Sequence, residues 1–326
     1  MRTNIKICVL GCGKAAELLL PCLKYFQGAQ VLFVDKDIKA ASKIVKVFNL
    51  LFLGDSEATN ELPASGIDFA IICTPSGLHI EHAKYFLEMG ARIYIEKPPA
   101  LAKADILWID EHPDAWITVG YQARFSSAVL AIQKEFSNPI LVSCWKYRGR
   151  PASYYTDWHG KLATDGGVLA QQGVHCVDLV CSLSEEPPTA IHFWGKNARH
   201  NIECEDTALL SIAFPTWTAQ IQATTALQIY RHLPWQSGLR IVSSGGLQEI
   251  GGNDFEKIIH WPTRLTTPAL DTLSSRERMW KNIADAVVLN GSPPLAAHKT
   301  TMAMKVIHAA YSGGKYGEWC EGLGKG

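Results

Sequence analysis

The chain has 326 residues, 47% hydrophobic and 19% charged, with 31 basic and 31 acidic side chains and a formal net charge of zero. That is enough chain for two domains with well-filled cores, and it offers no global field to draw nucleic acid or an anionic membrane surface. Nine cysteines, an odd number with no CxxC pair, argue against a disulfide framework or a thiolate zinc site and for free, mostly buried thiols in a reducing compartment.

The first strand signal begins within a few residues of Met1, leaving no room for a leader, and no apolar run is long enough to span a bilayer. The expectation is a cytoplasmic protein with no membrane and no nucleic-acid partner. Ile5–Leu10 is an apolar, strand-type run that meets Gly11-Cys12-Gly13 and then a helical pattern over Lys14–Phe26. This is the layout of a dinucleotide-binding turn. Gly11 lets the chain leave the strand sharply, Gly13 lets backbone approach a pyrophosphate, and Ala16 stands where a third glycine often stands. The phosphates would lie on the helix start, over Gly11, Cys12, Gly13, Lys14 and Ala15. The plain alternative is a tight turn in an α/β domain that binds nothing.

Val31–Val34 is the next strand signal and ends at Asp35, at the distance expected of a ribose-binding acid. Its carboxylate would accept both adenosine ribose hydroxyls and repel a 2′-phosphate, which favours NAD over NADP; Lys36 and Lys39 soften that preference. A helix follows over Ile38–Phe48, and residues 54–66 read as a polar, irregular surface connection. Strand Phe69–Cys73 leads into Thr74-Pro75-Ser76 and a helix from His79 to Met89. Thr74 and Ser76 are placed to bond ribose hydroxyls; alternatively Ser76 caps the helix and Pro75 shapes the turn. Strand Arg92–Ile95 leads into Glu96-Lys97-Pro98. A lysine at that strand end, partly desolvated beside a cationic nicotinamide, acquires a lowered pKa and becomes a usable acid/base. Glu96 would hold the cofactor or orient Lys97, and Pro98 would fix the backbone beneath, with a cis bond as one option. On spacing alone, a surface Glu-Lys pair is the competing account. A helix over Lys103–Glu111 and a strand over Trp116–Val119 complete the alternation, which implies a parallel sheet covered on both faces.

Beyond Gly120 the pattern changes. Helices are expected over Ser126–Phe136, Val168–Cys181, Arg276–Asn290 and His298–Tyr311. Strands are expected over Ile140–Tyr147, Ala190–Lys196, Thr207–Phe214, Thr218–Ala226, Gly238–Ser243 and Gly246–Ile250, the last two joined by a hairpin turn. The fold class is therefore α/β. A Rossmann domain (doubly wound parallel sheet, residues 1–121) precedes an α+β substrate-binding and oligomerisation domain with a large, mostly antiparallel open sheet (residues 122–326). The active site is expected in the cleft between the two, outside the carboxyl ends of the parallel strands.

Several segments resemble the glucose–fructose oxidoreductase / inositol dehydrogenase / MocA family. Asp68–His79 is similar to its strand–TP–x–x–x–H segment, Ala91–Pro98 to its strand–EKP signature, and Val119–Phe125 to its VG(F/Y)Q-x-RF segment. Gly166–Asp178 is similar to its glycine–histidine helix, and Glu205-Asp206-Thr207 and Asn290–Pro294 also fit. The likeness spans nearly the whole chain. It implies a two-domain NAD(P) enzyme that moves hydride to or from a sugar or cyclitol carbon, with Lys97 as catalytic acid/base and His175 orienting or relaying a proton at the reacting hydroxyl. It implies Gln122 and Arg124 near the nicotinamide or substrate. From residue chemistry alone, His175 would also be satisfied by Asp178, one turn on.

Where many family members carry aspartate, this chain has Gln171. An amide takes up no proton, so Gln171 would only bond the substrate. The Gln-Gln-Gly-Val-His context resembles the branch that oxidises the 3-hydroxyl of UDP-N-acetylhexosaminuronic acids for surface polysaccharides, although that branch usually has asparagine here. The run Trp145–Lys161 interleaves Lys146, Arg148, Arg150 and Lys161 with aromatics such as Tyr154. These side chains suit a carboxylate or diphosphate and a sugar or base face, or else an edge strand with basic outward residues. The substrate-binding set is thus Gln171, Arg124, Arg148, Arg150, Tyr154, Lys161 and Asp178, and the substrate an anionic sugar or sugar nucleotide. A polyol, inositol or aldose dehydrogenase is the alternative enzyme, and a non-catalytic NAD-binding sensor the alternative of another class. No metal is expected, because no His/Cys set has ligand spacing. A homodimer or homotetramer through the second sheet is expected.

Overall fold

The computed structural model describes residues 5–52, 55–228, 236–262 and 265–313. The chain divides into two compact units: residues 1–100, 107–120 and 277–299 form the first, and residues 101–106, 121–276 and 300–326 the second.

The first unit is built on β1 (Lys6–Leu10), α1 (Lys14–Leu19), β2 (Gln30–Val34), α2 (Ile38–Phe52), β3 (Ser56–Thr59), β4 (Phe69–Ile72), α3 (His79–Glu88), β5 (Arg92–Ile95), the part of α4 (Lys103–Glu111) from Leu107 on, and β6 (Ile117–Val119). Its six strands are all parallel, in the order β3-β2-β1-β4-β5-β6. Strand order reverses between β1 and β4, so the carboxyl ends of these strands flank the crevice where doubly wound sheets take ligands. Ile7, Phe33, Phe69, Ile71, Ile93 and Tyr94 are buried at 0% exposure. Side chains buried on both faces are what force continuous apolar strands rather than alternating ones.

A segment from near the end of the chain completes this unit. Helix Ser275–Val288 brings fully buried Trp280 against Tyr94 (ring centroids 4.7 Å apart) and Phe26 (6.4 Å). The Leu295 carbonyl then accepts from Val119 N at 3.1 Å beside β6.

The second unit contains α5 (Ser127–Glu135), β7 (Pro139–Tyr147), α6 (Val174–Cys181), β8 (Ala190–Lys196), β9 (Thr207–Ala213), β10 (Thr218–Thr224), β11 (Ser237–Ser243), β12 (Gly246–Gly252) and β13 (Lys257–His260). The helix at Ser275–Val288 is α7, and α8 (Thr301–Tyr311) closes the described chain of this unit. The seven-stranded sheet runs β13-β12-β11-β7-β10-β9-β8, antiparallel except for the β7–β10 pair. Helices α5, α6 and α8 pack on one face, and alternate residues of β9 and β10 are buried beneath them.

Four expectations are corrected. Residues 54–66 are not wholly irregular: Ser56–Thr59 adds a parallel edge strand beside β2. Lys257–His260 adds a second edge strand that the pattern did not reveal. Neither edge strand needs an apolar face, so neither shows a period of two. The first helix ends at Leu19 and continues as a 3-10 turn over Leu20–Tyr25, because Pro21 has no amide to extend the α-helical ladder. The Val168–Cys181 helix opens with a π-helical turn, Leu169–Gly173. Among the described residues, no helix is long and apolar enough to cross a membrane.

Candidate active site

The first unit supplies a dinucleotide cradle. Gly11 has φ +89°, and a Cβ there would stand 2.7 Å from the Cys73 carbonyl group and 2.8 Å from Thr74 N. Both the backbone angle and the close approach of β4 demand glycine. Gly13 is the opposite case: nothing lies within 4 Å of where its Cβ would be, and no side chain caps the α1 start. Open space over uncapped amides fits a pyrophosphate. Asp35 Oδ2 accepts from Cys12 N at 2.7 Å and Oδ1 from Asp37 N at 2.9 Å. The acid is thereby locked beside the glycine turn, and each oxygen retains a second lone pair.

Cys12 contributes backbone rather than thiol. It is buried, and burial together with the Asp35 charge pushes its thiol up to about 12. The Lys14 side chain is exposed and pairs with Glu17 at 2.7 Å. Ala15 is half-buried.

The two turns after β4 and β5 are tied together. His79 is 1% exposed, and its ring nitrogens lie 2.9 Å from Pro98 O and 2.8 Å from Thr74 O. Both carbonyl oxygens only accept, so the neutral ring, with its one N–H, donates to one of them at a time; both nitrogens nevertheless face backbone, which leaves no ring nitrogen for the expected direct contact of His79 with a cofactor. Thr74 Oγ1 meets His82 Nδ1 at 3.0 Å. Ser76 is buried and Pro75 shapes the turn with φ −55° and ψ 140°, but Ser76 does not cap α3: its N-cap residue is Leu78, with no side-chain cap.

Lys97 is half-buried at the end of β5, followed by a cis bond to Pro98. Glu96 Oε1 accepts from Tyr94 hydroxyl at 2.6 Å, and Oε2 from Lys97 N at 3.2 Å. Gly120 makes room, since a Cβ there would stand 2.3 Å from the Tyr94 hydroxyl.

His79 makes acid stability testable. Burial, outweighing its two carbonyl contacts, pulls its pKa down to about 4 from the usual 6.5. Between these values the unfolded chain binds a proton that the native ring refuses. The contribution is present above about pH 6.5 and is lost as pH falls toward 4, on the order of 3 kcal/mol in all. Urea midpoints at pH 7.5 and pH 5 should therefore diverge more for wild type than for His79→Asn. Equal pH dependence in the two proteins would refute this account.

The second unit holds the other candidates. Arg124 Nε and Nη2 grip both oxygens of Asp178 at 2.6 and 2.8 Å, with Asp178 1% exposed. This corrects two expectations, because the pair satisfies itself rather than presenting charge to a substrate, and Asp178 serves Arg124 rather than His175. His175 is 3% exposed, edge-on to the Tyr121 ring at 6.3 Å. Gln122 is half-buried in the 3-10 turn Gln122–Phe125.

The basic run is also partly dismantled. Lys146 is buried at 2% and pairs with Asp254 at 2.8 Å. The Arg148 guanidinium is engaged by Gln236 and lies 4.0 Å from Asp254, so it is a sheet contact and not the expected substrate arm. Lys161 is exposed, and its carbonyl closes the Thr164–Gly166 turn. Arg150 and Tyr154 do come together: the guanidinium stacks 4.5 Å over the Tyr154 ring, and both line a narrow recess with Gln171, Asp165 and Glu205. Gln171 Nε2 donates to Asp165 O at 2.6 Å.

Glu205 was missed as a site residue. Its only sequence signal was the Glu205-Asp206-Thr207 likeness, and burial pushes its carboxyl upward. The adjacent Asp206 is buried, which alone would raise its carboxyl. Amide donors at Ala198, Arg199 and His200 (2.7–2.9 Å) reverse that and hold it low. His200 links Asp206 to the Arg150 carbonyl at 3.0 Å at each end. Among the described residues, no group of three or more His, Cys, Asp or Glu is arranged to hold a metal ion.

Comparison with known proteins agrees with both halves. The model of an oxidoreductase family with an NAD-binding Rossmann fold matches residues 5–111, and that of the GFO/IDH/MocA C-terminal domain matches residues 130–246. A protein of Amycolatopsis mediterranei, provisionally named a UDP-kanosamine synthase oxidoreductase subunit, is 27% identical over 188 residues, 55% of this chain and 52% of its own. A Bacillus subtilis scyllo-inositol 2-dehydrogenase (NADP(+)) is 26% identical over 196 residues, 56% of this chain and 53% of its own. The chain thus spans about half the length of these curated relatives. The crystal structure of the WlbA dehydrogenase from Chromobacterium violaceum, in complex with NADH and UDP-GlcNAcA, superposes with a TM-score of 0.79 at 22% identity, covering 97% of this chain and 96% of that one.

Proposed function

The chain belongs to the GFO/IDH/MocA oxidoreductase family, and from that premise we propose that it is an NAD-dependent dehydrogenase of a secondary alcohol on a sugar, with a sugar nucleotide as the favoured substrate. One observation carries the reading: a single parallel sheet brings the open Gly13 turn, Asp35 and Glu96-Lys97 to the carboxyl ends of β1, β2 and β5. That set fits a dinucleotide with an acid/base beside its nicotinamide end.

Bound NAD supplies the hydride acceptor. The Gly11–Gly13 backbone and the α1 start hold the phosphates, and Asp35 holds the adenosine ribose. Thr74 hydroxyl and Glu96 are suited to the nicotinamide-ribose end. Lys97 Nζ would take the proton of the reacting hydroxyl. The UDP-linked names of two of the relatives support the sugar-nucleotide branch. The scyllo-inositol relative and the recess, with one guanidinium among two carboxylates, favour a neutral polyol as the second reading.

The test mixes purified protein and NAD with UDP-sugars, inositols and aldoses and follows NADH absorbance. No NADH from any of them would point to the sensor reading.

Because Asp35 is locked facing the turn, NADH should bind more tightly than NADPH, and Asp35→Ser should narrow the gap. Equal or tighter NADPH binding by wild type in a fluorescence titration would contradict this.

We also infer a homo-oligomer built on the open face of the second sheet. Register puts Trp194, Leu209, Gln222, Trp145 and Gly238 in one row across five strands, with Trp194 51% exposed. Trp194, Leu209 and Trp145 are the apolar members of this row, and exposed apolar side chains grouped on one face mark association surfaces. Light scattering should show a dimer or tetramer at micromolar protein; a monomer would contradict the inference. A reducing, cytoplasmic setting is inferred from the eight described cysteines, which form no disulfide among the described residues and seven of which are buried.

A further inference from the structure

Four consecutive amides open the helix that carries Gln171 and His175, and all four end on two distant residues of the same unit. Gly167 N and Ala170 N donate to the Tyr311 hydroxyl at 3.1 and 3.2 Å. Leu169 N donates to Glu205 Oε1 at 2.9 Å, and Val168 N to the Glu205 carbonyl at 3.0 Å. Tyr311 donates its own proton to Glu205 Oε1 at 2.8 Å. Such amides are ordinarily left to a cap residue or to water; this turn has no side-chain cap of its own.

The fit is tight, since a Cβ on Gly167 would stand 1.8 Å from Glu205 Oε2. The start of the helix is therefore set by Glu205 and Tyr311 rather than by local sequence. The first turn is π-helical, a form common at functional sites and dependent on outside support.

Glu205 has a second side. Oε1 is used by Leu169 and Tyr311, no other described residue donates to Oε2, and the residue lines the recess with Arg150 and Gln171. In the same recess wall, Arg150 Nε is buried with no hydrogen-bond partner among the described residues. The recess thus offers an acceptor and a donor that the other described residues do not use, and a buried polar group left in that state is costly unless a ligand meets it.

We propose that Glu205 is the positioning and specificity-determining carboxylate of this site: Oε1 holds the start of the Gln171–His175 helix, and Oε2 accepts a hydrogen bond from a hydroxyl of the substrate. Because one carboxylate does both, the bound hydroxyl is held at a fixed span from Gln171 and His175. Oε2 would repel a sugar carboxylate or phosphate, and at about 10 Å³ the recess has room for one small group, so it takes a single neutral hydroxyl of the substrate. Burial already disfavours the charged form of Glu205, and a hydroxyl donor at Oε2 relieves that cost. The proposal rests on the sugar dehydrogenase reading.

Two substitutions separate the two sides. Glu205→Gln keeps a carbonyl oxygen for Leu169 and Tyr311 but turns the recess atom from acceptor to donor. It should raise KM about tenfold or more, the scale of a lost charge-assisted bond, and more than it lowers kcat. Hydrogen exchange over residues 167–175 should stay as in wild type. Tyr311→Phe removes both amide bonds at a residue that does not line the recess. It should speed exchange over residues 167–175 and lower kcat about tenfold with little change in KM.

A Glu205→Gln protein with wild-type KM overturns the Oε2 role. Unchanged exchange in Tyr311→Phe overturns the clamp. A lower melting temperature with wild-type kcat would leave Tyr311 merely structural and equally overturn positioning. A wild type that oxidises none of the sugars or polyols overturns the dehydrogenase reading and the Oε2 role with it, while the exchange measurement, which needs no substrate, still decides on the clamp.

Discussion

Lys97→Met is expected to cut turnover by roughly 10²-fold or more, the usual scale for losing a positioned acid/base, while NADH affinity stays within a few-fold of wild type. Methionine keeps the length and the half-buried stem of the lysine and removes only the proton carrier. The supports of the turn survive the change, because Glu96 bonds the Tyr94 hydroxyl and the backbone amide of residue 97, not its side chain. The His79 ring likewise stays against the Thr74 and Pro98 carbonyls whatever stands at position 97. Steady-state rates with the best sugar from the screen, beside a fluorescence titration with NADH, check both halves. Near-normal turnover would show that the proton leaves by another group. Loss of NADH affinity in step with turnover would show that Lys97 acts by holding the cofactor.

Arg124→Ala is expected to destabilise the second unit by about 3–5 kcal/mol, the cost of stranding a buried charge. Asp178 is 1% exposed and receives both of its hydrogen bonds from Arg124, and the smaller side chain leaves nothing to replace them. On a unit of this size that corresponds to a fall of roughly 10 °C in melting temperature. Replacing both residues by apolar side chains of similar volume should restore most of the loss, because no uncompensated charge then remains. Thermal melts of the single and double variants decide the matter. If Arg124→Ala melts like wild type but raises KM sharply, the guanidinium belongs to the substrate after all.

The cofactor half was legible because its determinants are local. A strand end, a glycine turn and a helix start are neighbours in sequence, so Gly11, Gly13, Asp35, Thr74 and Lys97 could be placed by counting along the chain. The steric reason for Gly11 was not legible, because the Cys73 backbone it must clear is 62 positions away. Edge strands β3 and β13 were missed because a strand paired on one side carries no obligatory hydrophobic period.

The recess half was read less well, and for one recurrent reason. Sequence period reports which side chains are inside, not which polar groups meet there. The basic residues between Trp145 and Lys161 looked alike as a run. In space Lys146 finds Asp254, Arg148 finds Gln236, and only Arg150 turns to the recess.

The sequence by itself determined the α/β class, the alternation that makes the parallel sheet, the dinucleotide turn and the family. Each rests on short-range backbone preferences and apolar periodicity, which act within one element and its neighbours. Tertiary structure alone decided the pairing of Arg124 with Asp178 across 54 residues and of Glu205 with Tyr311 across 106. It also assigned α7, far along the chain, with its buried Trp280, to the first unit. The physical reason is that a buried charge or hydroxyl takes whatever partner the folded chain brings within about 3 Å, and that distance is a property of the packed fold rather than of separation along the chain.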